Sequence, residues 1–269
     1  MWEVKIIKKF LTFLLICLSI LYPGEFSASA KSESLSWYCV RTKDHKQPSC
    51  DAKMSFIKEY GGYYVDESHG DSDKDKVIYL TFDAGYENGN IEKILDVLEQ
   101  EKVTAAFFVL EHLITKNPDL ILRMVENGHL VCNHTSKHLD ITKCDTVNQL
   151  KAELSQLESK YKSLTGQEMP KFFRPPEGRF SLQSMKFLNQ LGYKTIFWSF
   201  AYADWDNNNQ MPREAALKKI LSNIHNGEIM LLHPTSSTNA EIIGDLICNL
   251  RNEGYRFGTL YQLVNDNVN

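Results

Sequence analysis

Short apolar runs and longer segments of helical spacing take turns along this chain. Val77-Ile78-Tyr79-Leu80-Thr81-Phe82 is brief, β-rich and almost wholly apolar, the pattern of a strand buried on both faces. Ile91, Ile94, Leu95 and Leu98 then recur at helical spacing over 91–101. The exchange continues with strand 105–110, helix 120–127 closed by Gly128, strand 129–132, helix 146–164 and strand 172–174. Helix 182–191 stopped by Gly192, strand 194–198, helix 213–224, strand 229–232, helix 240–253 and strand 255–257 complete it. A glycine directly after a helix supplies the left-handed residue that ends it.

Strict alternation of strand and helix predicts a mostly parallel sheet with helices outside. With about seven such units the α/β fold expected is a distorted (β/α) barrel of about seven parallel strands, its functional residues at the C-terminal ends of the strands. The barrel spans 77–269. An N-terminal extension, 31–76, is expected to pack on it and to end in a solvated charged loop from Asp66 to Lys76.

The first thirty residues read differently. Lys5, Lys8 and Lys9 precede an apolar stretch from Phe10 to Tyr22, and Ser27-Ala28-Ser29-Ala30 follows. That is the layout of a secretory signal peptide, 1–30, cleaved after Ala30. The expectation is an exported protein of the cell envelope with no stable membrane span. A formal net charge of −4 offers no basic stripe for a nucleic acid. Export permits disulfides, and Cys39–Cys50 is the first choice, Cys132–Cys144 the second. Cys248 falls on an apolar helical face and is expected to be buried.

Five clusters carry chemistry, and each follows a strand. Asp83 leaves the first strand in Thr81-Phe82-Asp83-Ala84-Gly85-Tyr86-Glu87-Asn88, where it is a helix cap or a functional carboxylate. His134-Thr135-Ser136-Lys137-His138 sets two imidazoles four apart, able to meet one metal ion. Arg174-Pro175-Pro176-Glu177-Gly178 is a stiff exit from its strand. Asp204-Trp205 pairs a carboxylate with a ring that suits a sugar face, and His233 stands at the mouth of the strand 229–232. Each has an ordinary structural explanation alone.

Together and in this order they resemble the motifs of the polysaccharide deacetylases, carbohydrate esterase family 4 (NodB-like). The form of the first motif, and Asn207-Asn208 after Asp204-Trp205, are most similar to the muramic-acid deacetylases that prepare muramic δ-lactam in the spore cortex. The resemblance runs from about Trp37 to Val264. It implies de-N-acetylation of N-acetylmuramic acid in peptidoglycan glycan strands, after an N-acetylmuramoyl-L-alanine amidase has stripped the peptides. By similarity Asp83 is the general base, Arg174 orients it, and Asp204 orients and charges His233, the general acid. His134 and His138 would hold a divalent metal, with zinc favoured by imidazole. Tyr86, Glu177, Trp198 and Trp205 would bind substrate, and a backbone N–H near Glu177 or Tyr86 would serve the oxyanion.

The chain departs from the family at Ala84, where a second, metal-binding aspartate is usual; the muramic-acid branch often has asparagine there. A weak metal site is the expectation. Cys132, in place of a usual glycine, could bind metal, bridge to Cys144 or fill space, the last being preferred. Three other readings compete. One is a non-catalytic glycan-binding protein on a deacetylase scaffold, one a deacetylase of N-acetylglucosamine in chitin or peptidoglycan. The third is a glycosidase using Asp83 and Asp204, which would leave the two histidines without a role.

Overall fold

The computed structural model describes residues 32–265 apart from 41 and 43, so the expected leader 1–30 lies outside the described residues. In chain order the strands are β1 (Leu35–Ser36), β2 (Gly62–Tyr63), β3 (Lys76–Ala84), β4 (Ala106–Val109), β5 (Leu130–Asn133), β6 (Phe172–Phe173), β7 (Arg179–Phe180), β8 (Lys194–Ile196), β9 (Glu228–Leu232) and β10 (Tyr255–Phe257). The helices are α1 (Ile91–Gln100), α2 (Glu111–Lys116), α3 (Pro118–Glu126), α4 (Val147–Thr165), α5 (Leu182–Gln190), α6 (Arg213–Leu221), α7 (Ser237–Asn252) and α8 (Leu260–Leu263).

The sheet runs β10-β3-β4-β5-β6-β8-β2, and β9 also pairs with β3. Thr81 to Ala84 of β3 lie beside Ala106 to Val109 of β4, and Ile78 to Phe82 lie beside Glu228 to Leu232 of β9, both parallel. A parallel bridge between Phe200 and Met230 carries the chain beyond β8 onto β9 and brings the curled sheet round into a distorted barrel. The seven strands read from the sequence are all present, and β2 adds another.

Period-two alternation in β3 sorts its side chains. Ile78, Leu80, Phe82 and Ala84 join the outer apolar cluster with Ile91, Ile94, Leu95 and Leu98 of α1. Val77 and Tyr79 point the other way, into a cluster with Phe108, Cys132, Ile229 and Leu260. Continuing that inner face, Thr81 and Asp83 reach the C-terminal mouth. α4 begins where its sequence says it should: Thr146 and Gln149 form a reciprocal capping box, and Gly166, at φ +72°, ends it.

The extension is woven into the barrel. Asp51 caps a 3₁₀ helix, Ala52–Tyr60; β2 then pairs parallel with β8, and β1 pairs antiparallel with β7. Strands of two residues are too short to show a period, which is why the sequence does not reveal them.

Three expectations need correction. Asp66 is not in a solvated loop: it is 4% exposed and accepts hydrogen bonds from Ser68, His69 and Tyr79. Neither expected disulfide is formed; Cys39 Sγ donates to Ser199 O at 3.0 Å, and Cys132 and Cys144 are buried thiols. Cys248 is exposed, because the inner stripe of α7 is Ile242, Ile243, Leu246, Ile247 and Leu250, which turns position 248 outward. Among the described residues no helix is long and apolar enough to cross a membrane.

Candidate active site

Arg174 leaves β6 with no solvent exposure, so its charge must be paired and its N–H groups bonded inside the protein. They are. Nη1 donates to Asp83 Oδ1 at 2.9 Å, Nη2 to Thr81 Oγ1 at 2.9 Å and Phe197 O at 3.1 Å, and Nε to Ile196 O at 2.9 Å. The guanidinium carbon sits 4.3 Å over the Phe108 ring. Burial pushes the Asp83 carboxyl up, but Arg174, with the His134 and His233 imidazoles, outweighs burial and holds it below the ordinary carboxylate value.

The two histidines sit on a strained loop after β5. Thr135 and His138 both have positive φ, +69° and +58°, an unusual conformation for a β-branched residue. Side chains from elsewhere over-determine it. Asn133 Oδ1 accepts Thr135 N–H at 2.9 Å, and Glu153 Oε1, on α4, accepts Ser136 N–H at 3.0 Å and Lys137 N–H at 3.1 Å. His134 Nδ1 donates to Arg174 O at 2.8 Å, which leaves the Nε2 lone pair facing Asp83 Oδ2 at 3.7 Å. Burial drives His134 down to about 4, so it is a neutral imidazole near neutral pH. The His138 ring lies 5.3 Å away, edge to face.

Across the mouth, Asp204 is 1% exposed and grips His233 twice. Oδ1 accepts from Nδ1 at 2.7 Å and Oδ2 accepts the His233 backbone N–H at 2.8 Å. Asn239 Nδ2 completes the carboxylate's shell, donating to Oδ2 at 2.6 Å. Burial lowers His233, but the hydrogen bond and charge of Asp204, joined by the charge of Asp83, raise it above the ordinary imidazole value.

These groups share a cavity of about 650 Å³ lined by Asp83, His134, His138 and His233, with Tyr86, Glu177, Trp198 and Trp205 around them and Leu110, Ala201 and Leu231 as apolar lining. Tyr86 and Trp205 are 44% and 64% exposed, two rings at the rim. Asn207 Nδ2 donates to Tyr86 Oη at 2.6 Å, tying the loop after β8 to the loop after β3. Glu177 and Gly178 are both left-handed, at φ +55° and +64°.

The family resemblance implies a divalent ion. His134 and His138 suit one: the buried ring is neutral, its Nδ1–H is committed to a carbonyl, and its Nε2 lone pair is free to ligate. Ala84 supplies nothing, being fully buried in the outer apolar cluster. Among the described residues no group of three or more His, Cys, Asp or Glu side chains could hold an ion. His134 and His138 are therefore the side chains that would hold an ion here, with no third such group beside them among the described residues. Cys132 is a poor ligand, since burial pushes its thiol far up.

All ten residues singled out in the sequence meet at this mouth, eight lining the cavity and Arg174 and Asp204 standing behind Asp83 and His233. Sequence reasoning missed Thr81, Asn133, Glu153 and Asn239. Asn239 carried a readable signal: it is a polar residue on the inner stripe of α7, one step before Ile242 and Ile243, where an unpartnered amide would be costly. Glu153 carried none, because its loop partners are remote in sequence.

A profile of the polysaccharide deacetylase family matches residues 70–196. The chain is similar to peptidoglycan-N-acetylmuramic acid deacetylase PdaA of Bacillus subtilis, 37% identical over 251 residues, 92% of this chain and 93% of that one. The structure of B. subtilis PdaA, a family 4 carbohydrate esterase, matches with a TM-score of 0.82 at 38% identity, over 87% of this chain and 98% of the other. A family 4 carbohydrate esterase from Bacillus anthracis matches with a TM-score of 0.71 at 36% identity, over 87% and 98%. A peptidoglycan-N-acetylglucosamine deacetylase of Bacillus cereus is 30% identical over 195 residues, 71% of this chain and 89% of its own.

Proposed function

This chain belongs to the polysaccharide deacetylase family, and from that premise we propose that it hydrolyses the acetamide of N-acetylmuramic acid in peptidoglycan. The observation that carries the reading is the pair of opposed devices at one cavity: Arg174 bonded to Asp83, which favours the ionised carboxylate, and Asp204 bonded to His233, which favours the protonated imidazole. Amide hydrolysis needs both, a base for water and an acid for the leaving nitrogen, at a single pH.

In the mechanism that follows, Asp83 takes a proton from the water that attacks the acetyl carbon. His233, its Nδ1–H fixed on Asp204, presents Nε2–H to the sugar nitrogen and protonates it as the C–N bond breaks. Acetate and a free amine result. A divalent ion on His134 and His138, zinc by the preference of imidazole, would polarise the acetyl carbonyl when bound. Tyr86 and Trp205 offer rings to the apolar faces of the sugars, and Trp198 with Leu231 walls the acetyl methyl.

The finer parts of the proposal rest on the sequence and on the resemblance its motifs carry: export by the segment 1–30, action on strands already stripped by an amidase, and a product that leads to muramic δ-lactam in spore cortex. The deciding experiment is mass spectrometry of peptide-stripped peptidoglycan treated with the purified protein. Loss of acetyl from muramic acid, absent with Asp83→Asn, is the expected result. Loss from N-acetylglucosamine instead would transfer the activity to the other sugar, in keeping with the B. cereus relative. Unchanged glycan that still binds would support the binding-protein reading, for which Ala84 is the motive. Shortened chains would mark a glycosidase.

A further inference from the structure

From Leu35 to Val40, through and beyond β1, burial alternates along the chain: Trp37 is 4% exposed while its neighbour Tyr38 is 50% exposed. The inward contacts of this segment reach two different walls of the cavity. One wall is the left-handed turn at Glu177 and Gly178, after β6. The other is Trp198, after β8; both line the cavity.

Leu35 and Ser36 pair with Phe180 and Arg179 beside the first wall, and Trp37 N–H donates to Gly178 O at 2.8 Å. The Trp37 indole N–H donates to Trp198 O, in the second wall, at 2.9 Å. Cys39 Sγ donates to the next carbonyl, Ser199 O, at 3.0 Å. The fit is tight: a Cβ built on Gly178 would stand 2.8 Å from the Trp198 ring and 3.0 Å from Trp37 Cβ, so a glycine here lets the three meet. Phe197, at 4.7 Å between ring centroids, and Tyr64, at 5.1 Å, flank the indole. Arg174 ties the two walls at their base through Ile196 O and Phe197 O. The arm ties them at the rim.

We propose that the N-terminal arm is part of the substrate site, and that Trp37 is a positioning residue that sets the separation of the Glu177–Gly178 turn from Trp198. It touches no reacting atom. Its effect passes through two groups that meet the sugar, so it governs how well substrate is held and leaves the acid and base untouched. The inference rests on the reading of this cavity as the deacetylation site.

The test compares the full protein with Trp37→Phe, which keeps an aromatic ring beside Phe197 and Tyr64 while losing the indole N–H and the second ring of the indole, and with Trp37→Ala. Kinetics on peptide-stripped peptidoglycan and hydrogen exchange of the backbone are measured on each. Trp37→Phe is expected to raise KM with little change in kcat or in the pH profile. Trp37→Ala, where it folds, is expected to lower kcat/KM by about 10-fold or more, since small misplacements of positioning groups are costly. Exchange should quicken at 176–180 and 197–199 in both variants while β3 and β4 hold. A Trp37→Phe protein that melts earlier but keeps wild-type KM and wild-type exchange at those two segments would overturn the proposal and leave the arm as a buttress only. Should the wild type remove no acetyl groups, the functional reading fails, and the exchange comparison alone decides whether Trp37 sets the walls.

Discussion

Asp204 holds His233 at two points, accepting from Nδ1 at 2.7 Å and from the backbone N–H of the same residue at 2.8 Å. One carboxylate thus fixes the ring's tautomer, its orientation and the strand end that bears it. Asn239 spends its own amide on the same oxygen and its carbonyl on the Tyr202 hydroxyl. The leftover ring nitrogen, Nε2, has nowhere to point but the cavity.

Asp204→Asn is therefore expected to lower kcat about 10²–10⁴-fold, the ordinary range for a misplaced or mistuned proton donor, with KM little changed. An amide can still accept one bond, so the fold should persist, and circular dichroism with thermal melting checks that. A kcat within about threefold of wild type would remove His233 from the acid's role.

The pH profile should be wide. Asp83 must be ionised, and its value lies below the ordinary 3.8, so the acid limb of kcat/KM is expected below that point. His233 must be protonated, and its value lies above 6.5, so the rate should fall as pH rises through that raised value. Rates measured on one glycan batch across pH give both limbs. In Asp204→Asn the alkaline limb should move down, since the group that raises His233 most is gone.

Much of this was legible in the chain because β/α alternation writes itself twice, as apolar runs and as helical spacing. The site was legible because its ten residues lie at the C-terminal ends of strands or in the loops that follow them, where parallel topology gathers them. What stayed hidden depends on contacts without local pattern. β1 and β2 are two-residue strands held by partners more than a hundred residues away. Cys248 misled because an apolar stretch of helix does not say which of its faces turns inward until the whole stripe is seen. Glu153 reaches the histidine loop only because α4 packs beside β5.

Arg174→Gln should be costly twice over. It leaves the partly buried Asp83 without its counter-charge and Thr81 Oγ1 without its donor. Breaking one side of a buried pair costs about 3–5 kcal/mol, which a urea titration would read as a lower midpoint at unchanged slope. The acid limb should also climb, because burial then acts on Asp83 with less opposition. Combining Asp83→Asn with Arg174→Gln should recover part of the stability, the signature of a coupled pair.

Removal of metal gives a separate test. With two imidazoles and, among the described residues, no third protein ligand, the ion should be held weakly, so a modest excess of chelator is expected to abolish deacetylation and added zinc to restore it. His138→Ala should prevent restoration at zinc levels that suffice for the wild type. Full activity after exhaustive chelation, with zinc absent by elemental analysis, would show that His134 and His138 serve the site in some other way.

The stability of the metal-free protein should fall between pH 6.5 and 4, and three buried imidazoles set that window. His129, His134 and His225 are each driven down to about 4 from 6.5, chiefly by burial. In the unfolded chain they take up protons near 6.5; in the native protein they resist until about 4. Between those values the unfolded state binds more protons, so acid favours unfolding, by up to about 1.4 kcal/mol per pH unit for each group. His233 is shifted upward, so its contribution is fully present below 6.5 and does not alter the slope inside the window. His129 is the useful probe, because it lies outside the catalytic cavity: its Nδ1 accepts from Ala105 N–H at 3.2 Å, and its Nε2 is buried with no partner among the described residues. Urea midpoints taken from pH 7 to pH 4 in chelator should drop steadily, and His129→Gln should flatten that decline by about one third. An unchanged slope in the variant would mean that His129 is already protonated in the native protein.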